Sequence, residues 1–225
     1  MPKINLMKKN FIQKIHTASD RNYLKRMNLK KPEIMKEAKK YSKNYWDGSR
    51  SEGYGGYHYI PGYWTGVASK LINFYKLKKN AKILDIGCGK GFLIYEMKKL
   101  RPDLDILGVD ISAYALKLAK GKKIIKYKKQ KAQDKFNYKN KYFDLVISLG
   151  TLHNLELFDL KKSLVEVSRI AKKSYVMVES YNNDLELFNL QCWALTCESF
   201  FSKNEWEWLF RTLKFKGDYE FIYFK

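Results

Sequence analysis

At 225 residues the chain has room for one domain with a substantial core and is short for two. It is 45% hydrophobic, yet no apolar run approaches the ~18 residues of a membrane span, and Lys8, Lys9, Gln13 and Lys14 break the N-terminus where a signal-peptide core would stand, so a soluble, cytoplasmic protein is expected. The net charge of +21 invites nucleic acid as a partner, but only six of the 44 basic residues are arginine and the lysines are spread through every segment, which fits a solvated surface better than a phosphate footprint.

Residues 1–20 have mixed polarity and no period, and a loosely packed start is expected. Asp20 is placed to cap a short helix over Asn22 to Met27. Pro32 suits the first turn of a second helix, whose stripe is Ile34, Ala38, Tyr41 and Tyr45. From Tyr45 to Trp64 the chain is dense in tyrosine, tryptophan and glycine, with no period. A loop of that length is functional or disordered, and disordered segments are poor in aromatics, so an ordered lid is expected. Within it Arg50 is a cation suited to a carboxylate. Tyr54, Tyr57 and Tyr59 either face a ligand or pack the N-terminal helices onto the core. A helix carrying Val67, Leu71 and Phe74 on one face then leads to the central motif.

That motif is Lys82-Ile-Leu-Asp-Ile-Gly-Cys-Gly-Lys-Gly-Phe92. Ile83, Leu84 and Ile86 form a short buried strand, Gly87, Gly89 and Gly91 a turn, and Leu93, Met97 and Leu100 a helical stripe. Such a strand, turn and helix bring backbone close to a nucleotide-like ligand. The spacing differs from the dinucleotide pattern G-x-G-x-x-G, which makes a nicotinamide dehydrogenase the weakest reading. Asp85 precedes the glycines; a carboxylate there repels a pyrophosphate and suits a cationic ligand. A second apolar run, Leu104 to Val109, ends in Asp110, about 20 residues after the glycines, where an acid can accept from both hydroxyls of a ribose. Asp110 is also a plausible turn residue before a helix capped by Ser112. Strands are predicted near 83–86, 104–109, 126–130, 143–148 and 174–179, separated by helices with stripes at Ala115, Leu118 and Ala119, and at Leu160, Leu164, Val167 and Ala171. Alternation of this kind predicts an α/β, doubly wound Rossmann-like sheet, mostly parallel, of six to seven strands, with helices on both faces. The N-terminal helical and aromatic lid would occupy residues 1–64 and the Rossmann-like unit 65–225.

With these motifs in this order, residues 63–180 resemble the class I S-adenosylmethionine-dependent methyltransferases, small-molecule type. The resemblance implies S-adenosyl-L-methionine as cofactor and S-adenosyl-L-homocysteine as product. Gly87, Cys88, Gly89 and Gly91 would line the methionine half, with Asp85 near its amino group. Asp110 would hold the ribose and Ile111 would pack on adenine, with Ala132, Gln133 and Asp134 along the adenine edge. Leu149 and Gly150 would present backbone to the cofactor. In that frame Arg50 would meet a carboxylate of cofactor or substrate, and the lid tyrosines a methylsulfonium.

Beyond the fourth strand, His153 is the best-placed titratable side chain for a base, or equally a loop-orienting one. Glu179, Tyr181 and Trp193 are candidates for substrate contact, whereas His16 and His58 have no positional argument. Cys192 and Cys197 are too isolated for a zinc site and are expected to be buried. Leu185, Phe188, Cys192, Leu195 and Ser199 predict a helix over the sheet's carboxyl edge. Ser202 and Glu205 form a capping box before Trp206, Leu209, Phe210 and Leu213. Tyr219 to Phe224 reads as a strand, while the resemblance implies a final antiparallel pair, for which Lys214 to Lys216 is the other candidate. The expected function is methyl transfer to a small molecule. The alternatives are an RNA- or ribosome-associated methyltransferase and a non-enzymatic cofactor-binding subunit.

Overall fold

The computed structural model describes residues 8–17 and 21–225. Six strands, β1 (Lys82–Ile86), β2 (Asp105–Asp110), β3 (Lys126–Lys129), β4 (Phe143–Leu149), β5 (Ala171–Glu179) and β6 (Asp218–Ile222), form one sheet in the order β3-β2-β1-β4-β5-β6. Every pairing is parallel. Helices α5 (Thr65–Phe74) and α6 (Phe92–Leu100) share one core with Ile83, Ile106, Leu145 and Tyr175. Helices α8 (Leu157–Ile170) and α10 (Lys203–Thr212) share the other with Leu84, Ile86, Val146 and Val176. Successive strand residues point to opposite faces, which is why Ile83 and Leu84 end up in different cores. Lysines along β3, at the sheet edge, leave a charged strand that resists further pairing. No helix among the described residues is long and apolar enough to cross a membrane.

The N-terminal helices are α1 (Gln13–Thr17), α2 (Tyr23–Met27), α3 (Lys31–Ala38) and α4 (Lys43–Asp47), and the short α7 (Ala113–Lys117) follows β2. Asp20, expected as a cap, lies outside the described residues; Asn22 caps α2, accepting from the Lys25 amide. The predicted second helix is two, because Tyr41 takes a left-handed φ of 47° between α3 and α4. Nor are residues 8–13 loosely packed. Lys9 N–H donates to Tyr219 O, and Ile12 is buried.

Towards the C-terminus three further expectations change. Ala171 belongs to β5, opposite Phe143, because α8 passes into the strand without a loop. The crossing helix α9 (Asp184–Trp193) ends at Trp193, leaving Leu195 and Ser199 in the following loop. Among the described residues there is no antiparallel pair. Lys214 has φ 52° and Phe215 is fully buried, so 214–216 is a turn, and α10 serves as the crossover that brings β6 parallel to β5. Cys192 and Cys197 are buried as expected, and the Ser202–Glu205 capping box is formed.

Candidate active site

The strand order reverses between β1 and β4, leaving a crevice at their carboxyl ends, where open parallel sheets hold ligands. The glycine turn after β1 forms one wall. Its Gly87 and Cys88 amides both donate to Val109 O, at 2.8 and 3.0 Å. Gly87 has φ 80°, and a Cβ there would overlap Thr151 in the loop after β4. At Gly89 a Cβ would come within 2.8 Å of the Trp46 ring. Side chains at these two positions would therefore break the join between turn, lid and β4 loop.

A first cavity of ≈ 390 Å³ opens beside the turn, walled by Asp110, Ile111, Ala132, Gln133, Leu149 and Gly150. Asp110 Oδ2 accepts from Gly89 N–H at 2.7 Å and Oδ1 from Ser112 N–H at 2.7 Å. Asp110 therefore braces the turn and also faces the cavity. Burial raises its carboxyl, while those amides pull it back down. Ile111 is 42% exposed, an apolar surface beside a carboxylate. Gln133 faces the cavity and donates to Asp159 at 3.0 Å. Asp134 does not join the wall; it is exposed and accepts from the Lys131 amide. Asp85 and Cys88 sit behind the turn, not in the wall. Burial, with the Asp110 charge beside it, lifts the Asp85 carboxyl to about 8. Burial also raises the Cys88 thiol.

The lid is fastened to the glycine turn. Asp47, at the end of α4, accepts from Lys90 Nζ at 2.6 Å, from Tyr57 N–H at 3.2 Å and from Tyr114 O–H at 2.9 Å. Trp46 donates to Ser112 Oγ at 2.9 Å and stacks on Tyr54, centroids 5.3 Å apart. Tyr57 stacks on Phe92 at 4.9 Å. Tyr54 and Tyr57 thus pack the lid and also wall a cavity. Tyr59 does only the former, its hydroxyl donating to the buried Glu96.

A second cavity of ≈ 500 Å³ adjoins the first, and the two share Tyr45, Tyr54, Leu149, Gly150, Asn154 and Thr196. His153, Glu179 and Trp193 wall it, whereas Tyr181 is held outside in a bridge to Ser202. His153 Nδ1 accepts the Glu179 amide at 3.2 Å, which leaves its ring proton on Nε2, 3.4 Å from Glu179 Oε2. Burial keeps this imidazole neutral, down at about 3, so the contact is not an ion pair. Burial raises the Glu179 carboxyl to about 7 against the pull of Arg21. Neither ring nitrogen has a free lone pair for a substrate proton, whereas the carboxylate has several. Sequence reasoning missed Trp46, Arg21, Arg26, His16 and His58 as wall residues. Only the rarity of arginine marked any of them.

These residues fit an adenosyl sulfonium ligand. An acid and an exposed isoleucine share one wall, Gly87 brings backbone to it, and the cavity continues into a second one of metabolite size. Comparison with known proteins points the same way. Ribosomal RNA small subunit methyltransferase C of Buchnera aphidicola is 36% identical over 93 residues, 38% of this chain and 26% of that protein. Carboxy-S-adenosyl-L-methionine synthase of Campylobacter hominis is 38% identical over 78 residues, 34% of this chain and 33% of that one. The chain thus spans well under half the length of either. Among solved structures, the YcgJ protein of Bacillus subtilis has a TM-score of 0.53 at 19% identity, covering 65% of this chain and 66% of its own. A Galdieria sulphuraria protein assigned as a sarcosine dimethylglycine methyltransferase has a TM-score of 0.53 at 15% identity, covering 66% and 58%. Such identities show a shared fold. The methyltransferase domain family model matches residues 77–217, from the approach to β1 through to the turn before β6. The chain belongs to that methyltransferase domain family, and its sheet has the Rossmann-like fold of those structures.

Proposed function

We propose that the chain moves a methyl group from S-adenosylmethionine to a nitrogen or oxygen of a small molecule held in the second cavity. The observation that carries this reading is the pair of adjoining cavities with a common wall, one against the motif residues and the other against the half-buried carboxylate of Glu179. When bound, S-adenosylmethionine supplies an electrophilic methyl on a sulfonium sulfur. Asp110 would hold its ribose and Ile111, Ala132 and Gln133 its adenine. Backbone at Gly87, Leu149 and Gly150 would follow the rest, while Gly89 and Gly91 are covered by Trp46 and Tyr127. Asp85, buried behind the turn, would answer the ammonium as a charge and not by direct contact.

On the acceptor side, Glu179 takes the proton of an N–H or O–H nucleophile. His153 is a positioning residue that holds the Glu179 backbone through Nδ1. The Tyr45 and Tyr54 phenols are both raised above their ordinary range, so at the junction they stay protonated and act as hydrogen-bond donors. Residues 1–64 act as the lid that aligns acceptor and donor.

Titration calorimetry with S-adenosylhomocysteine and with NADH tests the cofactor, and labelled-methyl transfer to a metabolite extract tests the acceptor class. Heat from NADH alone, or an unchanged label, overturns the proposal. A second reading, RNA as acceptor, draws on the likeness to the Buchnera ribosomal RNA enzyme and on the +21 charge. It requires methyl transfer to structured RNA, with an affinity that falls steeply between two salt concentrations.

A further inference from the structure

Six arginines stand among 44 basic residues, and they divide into two kinds. Arg101, Arg169 and Arg211 each pair with a carboxylate close in sequence: Asp103 at 2.7 Å, Glu166 at 2.6 Å and Glu207 at 3.8 Å. The other three, Arg21, Arg26 and Arg50, wall the second cavity. Their guanidinium carbons lie 5.5, 4.5 and 5.0 Å from the centre of one ring, that of Trp193. Arg26 donates to Trp193 O at 2.8 Å and to Arg50 O at 2.6 Å. Arg50 donates to Gly53 O at 3.3 Å and Tyr54 O at 3.0 Å. For these two, then, every hydrogen bond ends on a backbone carbonyl. Among the described residues neither has a carboxylate partner, and Nη2 of each is uncommitted.

Gathering like charges on one indole works against folding, and burial together with Arg50 lowers the Arg26 guanidinium to about 10. A chain that otherwise uses lysine has placed here the side chain whose planar fork matches a carboxylate and which sheds water most readily. Glu179 does not answer this charge in full, since of the three only Arg21 pulls on its carboxyl. The cavity therefore has two poles. One is cationic, Arg26 and Arg50 over the Trp193 ring; the other is the proton-accepting Glu179, which walls the second cavity only. Tyr63, Trp64, Phe92, Met177 and Phe224 add aromatic and apolar surface to the wall.

We propose that the methyl acceptor is a small organic carboxylic acid with an apolar, preferably aromatic, body. Its carboxylate is held by Arg26 and Arg50 over Trp193, and its N–H or O–H nucleophile lies at Glu179. This rests on the second cavity being the acceptor site of the methyltransferase.

The test is titration calorimetry on the full chain, with and without saturating S-adenosylhomocysteine. The probes are benzoate, phenylacetate and their amino- and hydroxy-substituted forms, each matched with its primary amide. At least one acid is expected to bind about tenfold or more tighter than its amide. That preference should collapse in Arg50→Gln and weaken in Arg26→Lys, a milder change chosen because Arg26 is only 8% exposed. Both variants should keep wild-type affinity for S-adenosylhomocysteine. Acids and amides binding alike, or no acid binding at all, overturns the proposal. So does Arg50→Gln weakening S-adenosylhomocysteine itself by about tenfold, because the cluster would then serve the cofactor's own carboxylate. If the wild type gives no heat with S-adenosylhomocysteine, the cofactor reading fails on its own, and the acid-over-amide comparison on unliganded protein still decides the cluster.

Discussion

Glu179 carries the sharpest expectation among single residues. Its carboxyl is held at about 7, so the proton-accepting form grows in as pH rises through that value. Methyl transfer at saturating cofactor should climb between about pH 6 and 8, and Glu179→Gln should abolish the climb and lower kcat by about 10²-fold. A flat wild-type profile would remove Glu179 from the chemistry. Asp85 reports on the cofactor instead. Its carboxyl rises from 3.8 in the unfolded chain to about 8 when folded. The stability this contributes is complete below 3.8 and is lost as pH rises through about 8. Thermal midpoints should fall across that window, less so in Asp85→Asn. A cofactor ammonium near Asp85 would expel the held proton. Binding of S-adenosylhomocysteine at neutral pH should then release about one proton, read from the heat in buffers of different ionisation enthalpy, and Asp85→Asn should release none. Asp110→Ala should weaken cofactor binding by about tenfold or more, since it removes the proposed ribose contact together with the brace on Gly89.

At the scale of elements, the lid is joined to the glycine turn and the helices around it by two carboxylates, one half-buried and one buried. Asp47 gathers Lys90, Tyr57 and Tyr114, and Glu96 gathers Tyr59 and Thr65. These joints are why a stretch without helix or strand stays ordered over the glycine turn. Asp47→Ala leaves Lys90, only 4% exposed, without its anion. It should loosen the lid and leave the sheet intact. Trypsin cleavage after Arg50 should accelerate, and affinity for cofactor and acceptor should fall together by roughly tenfold. If cleavage and binding stay at wild-type values, the lid is held by its aromatic packing and not by this ion pair.

For the molecule as a whole, Glu220 ties the start of the described chain to its last strand. It is 1% exposed and accepts from the amides of Phe11 at 2.6 Å, Ile12 at 3.0 Å and Gln13 at 3.0 Å, and from Tyr175 O–H at 2.6 Å. The segment it anchors also runs against Tyr219, covering the β6 edge of the sheet. Glu220→Leu strands three amides and a phenol, at a cost of roughly 3 kcal/mol, or roughly 6–12 °C in Tm. An unchanged melting temperature would mean that water replaces the carboxylate. Cofactor affinity should change little in the folded variant, since neither Glu220 nor any residue it holds walls the first cavity.

What the sequence by itself determined was local. The strand, glycine turn and helix around Gly87, the alternation that makes a parallel sheet, the Ser202–Glu205 cap and the burial of Cys192 and Cys197 each depend on neighbours within a turn or a strand, where backbone propensity and periodicity act. What only the tertiary structure decided was convergence. It turned Gln133 and not Asp134 to the cavity, spent Tyr59 on Glu96, committed both nitrogens of His153, set β6 parallel and brought Arg21, Arg26 and Arg50 over Trp193. Those outcomes depend on the paths of loops between distant segments, and no short window of sequence encodes the sum of such paths.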